Sequence, residues 1–256
     1  MYQTTDIDIS YKVRAVRAIL FDKDGTLFDF RGTWLPVFRE AALRLCDGDV
    51  TVATELLRAA GYEAETDTFA PDGPIAAGTV VDVAQAWSGV LDRADHSLLA
   101  EEMDRYSLEI APGHSVPVCD LPRLMNELRR AGYLLGVATS DSAGGARAAL
   151  DRFGITELFS WVSGYDSGEG NKPDPAIIRR FASSVGVQAG EVAVVGDTFH
   201  DMRMGRSAGA ALVVGVLTGA ISRSILAPEA DIVLESIADL PRLLGITPVA
   251  GDGRAL

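Results

Sequence analysis

Two cysteines, Cys46 and Cys119, are all that the sequence holds, and neither sits in a Cys-x-x-Cys pair or a Cys/His cluster. A structural zinc site or a dithiol redox centre therefore has no ligand set to build on. Scattered thiols fit a reducing, cytoplasmic compartment. Positive charge is also scarce. The 23 Lys and Arg residues stand against 36 Asp and Glu, a formal net charge of −13. Nucleic acid is disfavoured as a partner, because its binding depends on neutralising phosphates with Lys and Arg. The acidic excess reads more simply as solubility. No apolar run approaches the ~18 residues that span a bilayer, so no membrane partner is expected. The first ten residues are polar and acidic and do not read as a secretory leader. Internal repeats and low-complexity tracts are missing as well.

What is present is material for a core. Apolar residues make up 48% of the 256-residue chain and charged residues 23%. That length suits one large domain, or a core domain with a smaller insert. Short apolar runs end at polar loops at Val16–Phe21, Tyr133–Ala138, Leu158–Val162, Val192–Val195 and Ala211–Val216. Between them lie helical patterns over Leu121–Ala131, Ala143–Phe153, Pro175–Val185 and Phe199–Ala208, with Ile237–Leu244 closing the pattern. Strands alternating with helices predict an α/β fold, a doubly wound parallel sheet covered on both faces. Ligands of such sheets bind at the carboxyl ends of the strands.

The alternation fails between Phe28 and Ala111. Helical patterns occupy Trp34–Cys46, Val50–Ala60, Val80–Leu91 and Leu98–Leu108, with a loop expected at Thr66–Pro74. This predicts a catalytic core of residues 1–27 and 112–256, with a helical insert at 28–111 leaving at Ala111-Pro112-Gly113. An insert that enters and leaves beside strand ends would sit over the active face as a lid.

Four polar signals fall at or near strand ends. Asp22-Lys23-Asp24-Gly25-Thr26-Leu27 sets two carboxylates two residues apart after a buried strand, with Gly25 allowing a sharp turn. Repelling carboxylates call for a cation, and oxygen ligands suit magnesium. The same residues could also form a plain solvated turn. Thr139-Ser140-Asp141 offers hydroxyls and a helix start to a phosphate, or only a helix cap. Lys172, between a glycine-rich loop and a proline, could neutralise both a carboxylate and a phosphate. In Gly196-Asp197-Thr198-Phe199-His200-Asp201, Asp197 follows its strand as Asp22 follows the first. Thr198 and Asp201 have the spacing of a capping box.

The order and placement of all four resembles the haloacid dehalogenase-like hydrolase superfamily over Val16–Leu244. Pro112–Asp201 is especially similar to the phosphoglycolate phosphatase branch, which carries an α-helical cap between its first two motifs. The resemblance implies a Rossmann-like core and a magnesium-dependent phosphatase acting on a small phosphorylated metabolite, phosphoglycolate being one candidate. Asp22 would attack phosphorus and form an aspartyl-phosphate. Asp24 would protonate the leaving alcohol and deprotonate the hydrolytic water. Thr139 and Lys172 would hold phosphoryl oxygens, with Gly25, Thr26 and Ser140 as further substrate-binding positions. Magnesium would lie on Asp22, Asp197 and the Asp24 backbone carbonyl. Asp201 would assist through water or by orienting Lys172. Arg31, where the chain enters the insert, is expected to meet an anionic part of the substrate, whereas Trp34 reads as core packing.

Within the superfamily, Asp24 favours ester hydrolysis over dehalogenation. The absence of lysine between Lys23 and Lys172 excludes a lysine nucleophile in the insert. A sugar-phosphate mutase uses the same two aspartates and stays open. So, from another class, does a non-catalytic protein that binds a phosphoryl ligand. The length and the late Asp197 disfavour a receiver-type signalling domain. Monomer and homodimer are equally compatible with the sequence.

Overall fold

A computed structural model of the chain describes residues 4–246. Helix α1 (Thr4–Ala15) leads into strand β1 (Ala18–Phe21). A mostly helical stretch follows: α2 (Phe30–Leu45), α3 (Val50–Ala59), the short strands β2 (Tyr62–Glu63) and β3 (Thr68–Phe69), α4 (Pro74–Ala77), α5 (Val80–Leu91) and α6 (His96–His114). The chain then alternates through α7 (Leu121–Arg130), β4 (Leu134–Ala138), α8 (Ala143–Arg152), β5 (Trp161–Ser163), α9 (Ala176–Val185) and β6 (Val192–Gly196). It ends in α10 (Phe199–Ala208), β7 (Leu212–Val216), α11 (Arg223–Leu226), β8 (Ile232–Leu234) and α12 (Leu240–Leu243).

Among the described residues, six strands form one parallel sheet in the order β5-β4-β1-β6-β7-β8. All four residues of β1 are buried, because both faces of the strand are covered. Ile19 and Phe21 pack on one side with Leu124 and Leu128 of α7. Ala18 and Leu20 pack on the other with Ile178 and Phe181 of α9 and Met204 of α10. Burial on both faces is why such strands read as unbroken apolar runs and not as alternating ones. From β1 the chain winds outward through β4 to β5, then returns to place β6 on the other flank of β1. The reversal puts a crevice at the carboxyl ends of β1 and β6, the position where open α/β sheets bind ligands.

The stretch from α2 to α6 has a hydrophobic cluster of its own, centred on Trp34, Phe38, Leu56, Val83, Trp87 and Met103. Trp87 is fully buried, between its helix and Phe38 at a ring separation of 6.2 Å.

The doubly wound sheet is as expected, and several boundaries differ. The run Leu158–Val162 does not start a strand. Thr156–Leu158 is a 3₁₀ turn, and β5 begins at Trp161. Ala111-Pro112-Gly113, expected as an exit loop, lies in the last turns of α6, which ends where Ser115 Oγ donates to the Ala111 carbonyl at 3.0 Å. Thr66–Pro74 is not all loop. Thr68 and Phe69 pair with Glu63 and Tyr62, held by Ala70 N–H donating to Gly61 O at 2.8 Å. Among the elements that carried no periodic signal are α1, pinned by Lys12 to Asp231 at 2.7 Å, the one-turn helices α4 and α11, and the three-residue edge strand β8.

Gly136 on β4 faces the ring of Phe181, and an added Cβ would lie 2.5 Å from Cε2. Gly136→Ala should therefore overpack that face and lower stability by about 1–3 kcal/mol. A denaturant melt checks this, and an unchanged midpoint would show that α9 can shift to make room.

Candidate functional site

The site is built where β1 and β6 run out. Phe21 is level with Val195, and Asp22 N–H donates to the Val195 carbonyl at 2.8 Å. Asp22 and Asp197 thus leave adjoining strands side by side. After Asp22 the chain turns sharply: Lys23 O accepts from Leu27 N–H at 2.8 Å and from Phe28 N–H at 3.1 Å. Gly25 takes φ +85°, which a side chain would resist. A Cβ there would also collide with Asp197 Oδ2. Gly219, in the loop after β7, is packed closer still to Asp197 Oδ2, and Thr218 Oγ1 donates to Gly25 O at 2.6 Å. Asp197, 2% exposed, is gripped between two glycine backbones and accepts from Thr26 Oγ1 at 3.3 Å.

Asp201 is presented by the first turn of α10. Its Oδ2 accepts from Thr198 Oγ1 at 2.6 Å and from Thr198 N–H at 3.1 Å, closing the capping box. Its Oδ1 meets Lys172 Nζ at 2.7 Å. The same ammonium forms an ion pair with Asp22 Oδ1. Lys172 is held by the loop before α9, where the Lys172–Pro173 peptide is cis.

A second lysine bridge lies beside the first. Lys23 Nζ, 2% exposed as a residue, contacts Asp24 Oδ2 at 2.7 Å and Asp141 Oδ2 at 2.9 Å, and sits 5.2 Å from the centre of the Trp34 ring. Asp141 Oδ1 accepts from Ser142 N–H at 2.7 Å. Thr139 Oγ1 accepts from Asp141 N–H at 3.1 Å, so its own proton is free to donate outward.

Burial dominates the electrostatics. It raises the Asp22 pKa to about 6, with Lys172 opposing the rise and Asp201 and Asp24 adding to it. Burial also raises Asp24, against Lys23 and the Trp34 indole. Asp197 is pushed well above the usual carboxylate range, first by burial and then by Asp22 and Asp201. Burial alone would lower both lysines, but their carboxylate partners raise them above the ordinary value, so both stay charged.

Asp22, Asp197 and Asp201 each place a carboxylate oxygen within 4.8 Å of the others, and all three are buried. Repulsion among three buried carboxylates exceeds what one ammonium can offset, and an all-oxygen donor set fits a hard divalent cation. Asp24 does not join this cluster through its side chain, which Lys23 holds toward Asp141.

Above the cluster is a cavity of about 70 Å³. From the sheet side it is lined by Asp22, Asp24, Thr139, Ser140, Lys172 and Asp201, and from the helical stretch by Phe30, Trp34, Phe38, Ile75, Val83 and Asp104, among others. Those six sheet-side residues were all expected in the site. Gly25 and Thr26, expected to touch substrate, do not line the cavity; they pack against and hydrogen-bond Asp197. Arg31 is not brought there either. Its guanidinium engages Asp67 on the exposed side of the helices.

Sequence reasoning passed over Lys23, Gly219, Asp104 and the cavity-facing role of Trp34. A charged residue between two motif aspartates was a visible cue for Lys23. Nothing local marks Gly219 or Asp104, which arrive from distant loops and helices. His200 also lines the cavity, with Nδ1 buried without a hydrogen-bond partner and its pKa lowered by burial.

Residues 16–209 match the family model of haloacid dehalogenase-like hydrolases. The chain belongs to that family. Curated relatives are similar over nearly the whole chain. Phosphoglycolate phosphatase of Rhodospirillum rubrum is 29% identical, covering 92% of this chain and 94% of its own. Pyrophosphatase PpaX of Bacillus velezensis is 28% identical, covering 91% and 98%. N-acetylmuramic acid 6-phosphate phosphatase of Pseudomonas aeruginosa is 28% identical, covering 84% and 85%. The fold matches a predicted phosphoglycolate phosphatase from Haemophilus somnus with a TM-score of 0.67 at 22% identity, over 90% of this chain and 98% of that one. The expectation of a phosphoric monoester hydrolase agrees with a family of hydrolases and with relatives that are phosphatases. Among the described residues, no helix is long and apolar enough to cross a membrane.

Two outcomes test this geometry. If the Asp22–Asp197–Asp201 cluster holds a divalent cation, Gly219→Ala should drive Asp197 from its place and weaken that binding at least about tenfold while the sheet still folds; calorimetry with a divalent cation and circular dichroism read the two effects. The raised Asp22 pKa sets the sign of a pH effect. An acid that is easier to protonate when folded contributes stability fully present below the unfolded value near 3.8, and loses it as pH rises through about 6. The stability of metal-free wild type, measured against Asp22→Asn, should thus decline between about pH 4 and pH 6 and level off above that. A flat difference would mean that Lys172 fully offsets the burial of Asp22.

Proposed function

We propose that this hydrolase is a magnesium-dependent phosphatase that removes phosphate from a small-molecule phosphomonoester by way of an aspartyl-phosphate on Asp22. The observation that carries the reading is the ion pair of Asp22 with Lys172, buried beside Asp197 and Asp201 and open to the cavity. Phosphoryl transfer needs positioning and charge neutralisation above all, and this arrangement supplies both.

A free Asp22 oxygen attacks phosphorus in line with the leaving alcohol. Lys172 draws the negative phosphoryl group onto a negative nucleophile and steadies the charge on its oxygens. Thr139, with its proton free, and Ser140 donate to other phosphoryl oxygens. Asp24 delivers a proton to the departing alcohol oxygen, and its upward-shifted pKa suits it to carrying that proton. Once the alcohol has left, Asp24 takes a proton from water. The oxygen of that water attacks the acyl phosphate, and inorganic phosphate leaves as Asp22 is restored. Asp22, Asp197 and the Asp24 carbonyl would hold magnesium, with Asp201 supporting both the cluster and Lys172. Bound there, the ion adds charge stabilisation that one lysine cannot give.

Residues 28–111 act in this reading as the cap over a core of residues 1–27 and 112–256, since the cavity draws one wall from each. The free thiols of Cys46 and Cys119 suit a cytoplasmic setting. Hydrolysis is preferred to phosphoryl migration between sugar hydroxyls. The likeness to β-phosphoglucomutase of Clostridium difficile, at 18% identity, concerns the fold alone.

With magnesium and p-nitrophenyl phosphate, wild type should release inorganic phosphate, and Asp22→Asn should lower kcat at least about 10³-fold, as for other covalent nucleophiles. Full turnover by Asp22→Asn would refute the nucleophile assignment.

A further inference from the structure

We propose, resting on the phosphatase reading above, that the substrate is a phosphomonoester whose leaving alcohol carries no second anionic group and offers a hydrogen-bond donor, hydroxyl or ammonium, to Asp104. The wall that faces the leaving group comes from the helical stretch. It is made largely of Phe30, Trp34, Phe38, Ile75 and Val83, with Asp104 its one charged group. No Arg or Lys of that stretch lines the cavity. An adjoining cavity of about 560 Å³, which shares Thr79, Thr139 and Lys172 with the first, is lined by Asp72 and Asp82 and again by no cation but Lys172.

None of the six arginines of this stretch lines either cavity. Arg31 and Arg39 pair with Asp67, Arg44 with Glu40 and Glu109, Arg58 with Glu65 and Arg93 with Glu102, while Arg105 is exposed and lies over the Tyr106 ring. A leaving group with its own carboxylate or phosphate would have to shed water among apolar rings and acidic side chains. The one lysine in reach is already paired with Asp22 and Asp201, and the transferring phosphoryl group has first claim on it. Such an anion costs more to bury than an uncharged or cationic group of the same size, so the pocket selects by exclusion. This turns away phosphoglycolate, the ester named for the Rhodospirillum rubrum relative.

Asp104 adds the positive element. One of its oxygens accepts the hydroxyl proton of Tyr165 from the core, while Oδ1 is buried and receives no hydrogen bond from the protein. A buried acceptor of this kind ordinarily has a donor. A hydroxyl or ammonium on the substrate, beside an apolar carbon face, would supply one.

The test is a comparison of kcat/KM for the full-length enzyme with magnesium. The esters are 2-aminoethyl phosphate, glycerol 1-phosphate, propyl phosphate and 2-phosphoglycolate, with p-nitrophenyl phosphate reporting the chemistry itself. The two donor-bearing esters should exceed 2-phosphoglycolate at least about tenfold, and their mutual ratio tells ammonium from hydroxyl. Equal or better use of 2-phosphoglycolate, with p-nitrophenyl phosphate still cleaved, would overturn the proposal and leave the phosphatase reading standing. Failure on every ester would sink both. Asp104→Asn keeps an acceptor for Tyr165 but loses the charge. It should lower kcat/KM for 2-aminoethyl phosphate or glycerol 1-phosphate about tenfold relative to propyl phosphate. An equal loss on all three esters would assign Asp104 a structural role only and overturn its part in recognition.

Discussion

Everything at the end of the sheet is arranged around one electrostatic difficulty: five carboxylates lie close together in a place that water barely reaches. Asp22, Asp24, Asp141, Asp197 and Asp201 would repel one another strongly without compensation. Two lysines divide the load. Lys172 joins Asp22 to Asp201, and Lys23 joins Asp24 to Asp141. The chain contains three lysines in all, so two thirds of its ammonium groups are spent on this one region. Arginine is far commoner here, but its planar fork suits bidentate contacts, whereas a lysine ammonium is a compact point charge that can sit between two acids in a tight buried space. Asp197 is left over, with no ion pair to a lysine or arginine among the described residues. Burial, with Asp22 and Asp201 beside it, raises the pKa of Asp197 well above the usual carboxylate range, and a cluster with one acid left over fits a divalent cation.

Crowding of this degree also demands backbone that can come close. The carboxylate of Asp197 lies against Gly25 and Gly219, and that of Asp201 against Gly196, at separations where a Cβ would overlap the acid. Charge and shape are therefore coupled. The glycines let strands β1, β6 and β7 bring their loops together, and the lysines make the result electrostatically tolerable. Neither works without the other, which is why a residue as plain as Gly219 matters to a cluster it never touches chemically.

This dependence decides what could be read from the sequence. The buried strands were legible because coverage on both faces leaves an unbroken apolar run, as in Val192–Val195. The Asp22–Leu27 loop was legible because its polar signal is concentrated in six consecutive residues. Asp104 and Gly219 were not, since each gains its meaning only when remote segments meet. Strand β8 was invisible for another reason: three residues on a sheet edge give no periodicity to detect. Helix α1 is amphipathic only weakly, and it is held by Ile9 and Val13 against the core and by the Lys12–Asp231 pair, whose aspartate comes from the far end of the chain. Arg31 shows the opposite error. Its position in the chain suggested a substrate contact, but on the helix it faces outward, where Asp67 offers a partner at no desolvation cost.

The separation of the two hydrophobic clusters bears on how such an enzyme divides its tasks. The sheet cluster fixes the carboxylates and lysines, whose spacing tolerates little error. The helical cluster of Trp34, Phe38 and Trp87 is packed independently and presents its edge to the reaction site. Trp34 belongs to both worlds: it packs on Phe38 at 5.3 Å and carries Lys23 over its ring. Any movement of the helices relative to the sheet must then disturb the lysine that holds Asp24. Asp24, the acid–base group of the proposed mechanism, is in this way linked through Lys23 to Trp34 and so to the helical wall of the cavity.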